Sequence, residues 1–193
     1  DWLLQKAASV AMQQPSPMRE FDGLKVFMCG TSSPLPDPDR AQACVAILAG
    51  QSLYVVDTGA GSAQVATLGQ LPLERLEAVF LTHFHSDHIA ALPEFNLNSW
   101  VAGRPQPLAV YGPGGVSEVV NGLNAAYRLD SSYRVAHHGG ELLPPGLGVM
   151  QPRLMEPGTE LEFDGLTVSS FHVNHDPIRP AVGYRFDYKG RSL

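Results

Sequence analysis

An apolar run, Ala78-Val79-Phe80-Leu81, ends directly on Thr82-His83-Phe84-His85-Ser86-Asp87-His88. The run reads as a buried strand, and the residues after it as the loop which that strand delivers. Imidazole nitrogen suits zinc, and a carboxylate beside it can hold a second hard or borderline cation or the water between two metals. A solvated histidine-rich loop is the competing explanation. It is the weaker one, because groups gathered behind a buried strand lose hydration, and a bound cation offsets that loss. The fold must therefore open a buried strand onto a metal-binding loop, with His83, His85, Asp87 and His88 as candidate ligands.

The chain has 193 residues and is 44% hydrophobic, enough to bury a core around such a strand. Its net charge is −6, and its 13 Lys and Arg are spread without a run, so there is no general attraction for polyanions. A nucleic-acid role would need a local basic patch. Residues 1–14 read as a short amphipathic helix with Leu3, Leu4, Ala7, Ala8, Val10 and Ala11 on one face, stopped by Pro15 and Pro17. With Lys6 as its single basic residue it lacks the cationic face of a membrane-surface helix, and docking on its own domain is expected. No stretch reaches the ~20 apolar residues that cross a bilayer. The first residue is not methionine, which leaves a processed or trimmed start and both cytoplasm and periplasm open.

Strands are expected at 24–29, 43–49, 52–56, 78–81, 108–111, 160–163, 166–173, 182–186 and 191–193, with tight turns at Gly50-Gln51, Asp164-Gly165 and Tyr188-Lys189-Gly190. Helices are expected at 62–68, 89–102 and 116–127, with a helical turn after Pro72, which makes an α/β (α+β) chain. Gly112-Pro113-Gly114-Gly115 has neither the Lys-Ser/Thr ending of a phosphate loop nor a GxGxxG spacing. The stretch from Tyr133 to Gly139 is read as a strand, which sends His137 and His138 to opposite sides; both are candidate substrate contacts, with a plain surface loop as the alternative. Cys29 and Cys44 sit at the ends of the first two strands. A bridge between them is geometrically conceivable, and two buried thiols packing as small hydrophobes are the preferred reading.

The pattern His83-x-His85-x-Asp87-His88 resembles the signature of the metallo-β-lactamase superfamily. Gly30-Thr31-Ser32-Ser33, Asp57-Thr58-Gly59 and Val182-Gly183-Tyr184-Arg185 resemble its ribonuclease Z branch, so the likeness runs from about residue 24 to 193. The resemblance implies a four-layered αββα sandwich with a dinuclear metal site at one edge. This chain would cover mainly its N-terminal part, as a domain over 21–193 behind a helix and linker over 1–20. Asp57 would support a metal-ligating histidine from behind; capping the helix at 62–68 is its alternative role, and the two are compatible. A lone histidine at a strand end would complete the first metal's three-histidine set. His175 fits that place better than His172, since strand alternation puts Phe171, Val173 and His175 on one face. Thr31, Ser32, Ser33 and Arg40 would edge the site mouth as candidate donors to an anionic group, with a plain inter-strand loop equally open. The family pattern continues with a Gly-Asp-Thr turn, whose aspartate bridges the metals, and a later histidine. Neither follows here, which leaves the second metal with Asp87 and His88 and predicts an exposed sheet edge and apolar face.

These readings lead to a zinc-dependent hydrolase, foremost a phosphodiesterase, with two Zn²⁺ per complete site and Mn²⁺ or iron as alternatives. Asp87 is its expected catalytic group, orienting or deprotonating the attacking water. A ribonuclease Z-type tRNA 3′-processing endonuclease, an arylsulfatase-like or other ester hydrolase, and an inactive metal-binding fragment are the alternatives. A small anionic ester is favoured over tRNA: in many ribonuclease Z enzymes a long arm that grips tRNA follows the Gly-Tyr-Arg strand, and here a tight turn stands in that place. The expected protein partner is a second copy, or a second chain that supplies the missing C-terminal part.

Overall fold

The computed structural model describes residues 22–193; the helix expected at 1–14 and the linker up to residue 20 lie outside them. Strands β1 (Leu24–Gly30), β2 (Cys44–Ala49), β3 (Ser52–Val56), β4 (Leu76–Phe80), β5 (Ala109–Gly112) and β6 (Gln151–Leu154) form one sheet in that order. β1 to β3 are antiparallel, and β3 to β6 are parallel. Parallel neighbours need crossover connections, which the helices supply. α1 (Ser62–Leu68) lies between β3 and β4, α2 (Ser86–Ile89) and α3 (Leu92–Val101) between β4 and β5, and α4 (Val116–His138) between β5 and β6. β7 (Glu160–Phe163), β8 (Leu166–His172), β9 (Val182–Tyr188) and β10 (Arg191–Ser192) form a second, antiparallel sheet in the order β10-β9-β8-β7.

Period-two alternation in the central strands builds two cores. Cys44, Ala46 and Leu48 of β2, Leu53 and Val55 of β3, and Val79 of β4 face the helices, where Ala63, Ala66, Leu92, Phe95, Val116 and Val120 meet them. Ile47, Tyr54, Ala78 and Phe80 face the second sheet, against Leu166, Val168 and Phe186. Phe80 is the hub of this layer, stacked on Tyr111 with ring centroids 5.1 Å apart and edge-on to Phe186 at 5.5 Å. The result is helices, sheet and sheet, three of the four expected layers. No helix among the described residues is long and apolar enough to cross a membrane.

Three expectations are corrected. Cys29 and Cys44 form a disulfide, with Cα atoms 5.0 Å apart across the β1/β2 pair, in place of two free thiols. Helix α4 does not stop at 127 but continues to His138, so 133–139 is no strand. That stretch holds no proline or glycine before Gly139, and an Asp130–Arg134 ion pair at 2.8 Å spans one helical turn, so helix continues where no sheet edge competes for it. The outward face of the second sheet is mainly polar where an apolar one was expected: Thr167 and Ser169 on β8 stand opposite Asp187 and Arg185 on β9, with Glu160 and Glu162 on β7, and Phe171 at the end of β8 is its exposed apolar residue.

Candidate metal centre

Asp57 lies directly after β3, and its backbone N–H donates to the Phe80 carbonyl at 2.9 Å. Its φ of 56° is left-handed, a conformation aspartate tolerates better than most residues, and it turns the carboxylate under the loop that follows β4. There Oδ1 accepts the Thr82 N–H at 2.8 Å, while Oδ2 accepts the Thr82 hydroxyl at 2.8 Å and His88 Nδ1 at 2.7 Å. Asp57 does not cap α1, whose N-cap is Gly61 with no side-chain bond. The next residue completes the floor of the site, since Thr58 N–H donates to the His88 carbonyl at 2.7 Å and Ala91 N–H to the Thr58 carbonyl at 2.8 Å.

On this floor stand the histidines. His83 is buried at 3% exposure, and His85 and His175 are exposed. One ligand atom from each of the three lies within 4.8 Å of the others, and His83 Nε2 is 3.2 Å from His85 Nδ1. Zinc–nitrogen bonds of 2.0–2.1 Å at tetrahedral angles put two ligand atoms about 3.4 Å apart, close to the His83–His85 separation, so three imidazoles gathered this way suit a divalent metal ion. Beside it, buried Asp87 in the first turn of α2 presents Oδ2 at 3.5 Å from His88 Nε2, which makes a second pair of donors.

His175 is not on a strand, because β8 ends at His172; a loop carries it. The loop is closed at its base by Val173 N–H to the Ala181 carbonyl at 3.2 Å, and Ile178 N–H donates back to the His175 carbonyl at 2.7 Å. Two bonds then tie the second sheet to the metal-motif segment: Val182 N–H to the Thr82 carbonyl at 3.0 Å, and the Tyr184 hydroxyl to the Leu81 carbonyl at 2.7 Å. These contacts bring His175 to a ring-centroid distance of 4.7 Å from His83.

Burial pushes His83 down to about 4, helped by the charge of His88, with Asp57 pulling the other way. His83 is therefore neutral at pH 7, as a metal ligand must be. For His88 burial again opposes the charged form, but the hydrogen bond to Asp57 and the charges of Asp57 and Asp87 outweigh it and raise its pKa.

The remaining sequence candidates fall elsewhere. Thr31 and Ser32 donate their N–H groups to the Ala41 carbonyl, Ser33 is exposed, and Arg40 is held by Asp37 at 2.5 Å. The base of their loop reaches the site floor through Gln42 N–H to the Ala60 carbonyl and Gly59 N–H to the Ala43 carbonyl. His137 and His138 are exposed in the last turn of α4, with their rings against each other at 4.6 Å. Sequence reasoning assigned no role to Thr82, Tyr184 or Arg179. Arg179 lines an open cavity of about 620 Å³ together with His172, His175 and Asp176. The place of Thr82 directly ahead of the histidine run, and that of Tyr184 in the Val182-Gly183-Tyr184-Arg185 motif, were the signals available; Arg179 carried none.

The family model of the metallo-beta-lactamase superfamily matches residues 37–177. Ribonuclease Z from Mycobacterium marinum is 38% identical over 172 residues, which cover 88% of this chain and 61% of that protein. Among solved structures, a metallo-beta-lactamase fold protein, YhfI from Bacillus subtilis, superposes with a TM-score of 0.66 at 20% identity, covering 89% of this chain and 61% of that one. The short form of human tRNase Z superposes with a TM-score of 0.64 at 20% identity, covering 86% and 66%. The chain thus spans 61% of the length of the curated relative described above.

Proposed function

The chain belongs to the metallo-beta-lactamase superfamily, and from that premise we propose that the protein is a zinc-dependent phosphodiesterase of the ribonuclease Z type, acting at the 3′ end of precursor tRNA. The observation that carries this reading is the gathering of His83, His85 and His175 beside the Asp87–His88 pair, in a chain 38% identical to a ribonuclease Z. RNA thereby moves ahead of the small ester favoured by overall charge. Net charge describes the whole surface, whereas holding a phosphodiester needs only local cations, and Arg179 is exposed on the loop that carries His175 to the metal motif.

His83, His85 and His175 would hold one zinc ion, and Asp87 and His88 would contribute to a second. When bound, zinc supplies an activated water and positive charge for the phosphate oxygens. Asp87, buried in the first turn of α2, would be the carboxylate that orients the attacking water and accepts its proton. Asp57 holds the His88 ring from behind, and Thr82 holds that of His83. Arg179, paired with Asp176 at 2.7 Å, can exchange this carboxylate for a substrate phosphate at the cavity beside His175.

A small phosphodiester is the second reading, favoured by the tight turn at Lys189-Gly190 between β9 and β10, where no arm is inserted. The test is an assay of precursor tRNA and bis(p-nitrophenyl) phosphate with zinc, with chelator, and with His83→Ala. Trimming of precursor tRNA that both chelation and the substitution abolish is the expected result. Turnover of the chromogenic diester alone would move the substrate to small esters, and turnover indifferent to chelation would overturn the metal-dependent reading. The solution mass of the same material tests the expected second copy.

A further inference from the structure

We propose that Thr82 is a positioning residue that fixes which nitrogen of His83 carries the proton and so couples the two candidate metal half-sites. The inference rests on the reading of His83 and His88 as ligands, but it can be observed without metal. The Thr82 hydroxyl oxygen lies 2.8 Å from Asp57 Oδ2 and 3.0 Å from His83 Nδ1. A hydroxyl has one proton to give, and an ionised carboxylate only accepts. The proton therefore goes to Asp57, and toward His83 the hydroxyl can only accept. His83 Nδ1 must then be the N–H, which leaves Nε2 bare, and Nε2 is the nitrogen 3.2 Å from His85 Nδ1.

The same carboxylate oxygen acts on the other half-site. Asp57 Oδ2 accepts from His88 Nδ1 at 2.7 Å, which leaves His88 Nε2 on the side of Asp87 Oδ2, 3.5 Å away. One oxygen thus orients both rings, directly for His88 and through the Thr82 hydroxyl for His83. The Thr82 backbone adds the third piece: its N–H is bound to Asp57 Oδ1 at 2.8 Å, and its carbonyl accepts the N–H of Val182, which follows the loop carrying His175. Valine at this position would keep the β-branched shape and the backbone bonds and remove the hydroxyl that donates to Asp57 and accepts from His83.

The experiment is ¹⁵N NMR of the histidine rings in chelator-treated protein at neutral pH, paired with zinc titration against a competing chromogenic chelator, for wild type, Thr82→Val and Thr82→Ser. Wild type should show His83 protonated at Nδ1 and bare at Nε2. Thr82→Val should mix the tautomers and weaken zinc binding at least tenfold, in line with the 10–100-fold cost of losing such supporting partners. Thr82→Ser, which keeps the hydroxyl, should restore both. A bare His83 Nδ1 in wild type overturns the proposal without any variant having to fold. So does a Thr82→Val protein with an unchanged tautomer or a zinc affinity within twofold of wild type. Failure to cleave RNA would remove the proposed function and leave these readouts as they are.

Discussion

Gly59 and Asp87 meet backbone to backbone: a Cβ on Gly59 would stand 2.2 Å from the Asp87 carbonyl oxygen and 2.6 Å from the carbonyl carbon of Gln42. Neither neighbour is the end of a flexible side chain, so Gly59→Ala must displace the turn that carries Asp87 and His88. The expected outcome is a loss of about 2 kcal/mol in stability, from overpacking, and a parallel loss of zinc affinity. Urea unfolding and zinc titration check it. Gly122→Ala is the control: it lies inside α4, with nothing within 4 Å of its added Cβ, and should stabilise by about 0.5–1 kcal/mol.

His83 makes stability depend on pH in a definite sense. Its folded pKa of about 4 lies below the ordinary 6.5, so between these values the unfolded chain binds more protons than the fold does. The contribution is fully present above pH 6.5 and is lost as pH falls toward 4. His88, raised above 6.5, acts in the opposite direction: its contribution is present below 6.5 and fades as pH rises through its folded value. Metal-free wild type should therefore lose more stability than His83→Gln on going from pH 6.5 to 4, as read by urea unfolding in the presence of chelator. Equal slopes would mean that the His83 ring is not desolvated.

The Cys29–Cys44 bridge joins residues 15 apart in sequence, a loop for which the chain-entropy model assigns about 3 kcal/mol. Both sulfurs are in residues only 1% and 2% exposed, so reduction should be slow in the fold and fast once it opens. Unfolding with a dithiol present should lower the urea midpoint, and Cys29→Ala/Cys44→Ala should match the reduced protein. A midpoint indifferent to reductant would return the pair to free thiols.

Arg104 is 2% exposed, and its hydrogen bonds go to neutral acceptors: Ser99 Oγ, Asn96 Oδ1 and the carbonyls of Gln106 and Leu147. Burial pushes its pKa down to about 10, still charged at neutral pH. It clamps α3, through Asn96 and Ser99, to the turn before β6 through the Leu147 carbonyl. Arg104→Met should leave several of these acceptors unpaired and cost about 3 kcal/mol or more, seen as a lower thermal midpoint.

Elements set by local pattern were legible. The hairpin through Gly50-Gln51 and the helix at Ser62–Leu68 follow from alternation and turn chemistry within a few residues, and both stand where expected. The second half of α4 was not, because Tyr133-Arg134-Val135-Ala136-His137 satisfies a strand pattern and a helix pattern alike. Continuity of the helical ladder and the Asp130–Arg134 pair decided between them. His175 was placed by resemblance and alternation, yet it reaches His83 from a loop, on contacts that strand parity does not describe.

What the sequence by itself determined is the run of donors after β4 and the periodicities of the elements around it, since both depend on neighbours along the chain. Whether the two cysteines join, which face of the second sheet stays polar, and how Thr82 and Tyr184 bind the second sheet to the metal motif were decided by tertiary structure alone. The Tyr184 hydroxyl and the Leu81 carbonyl are 103 residues apart, and Asp57 and His88 are 31 apart. A hydrogen bond over such separations leaves no periodic trace; the first exists because the two sheets pack face to face, the second because β3 and β4 lie side by side and end together, and each brings donor and acceptor within about 3 Å.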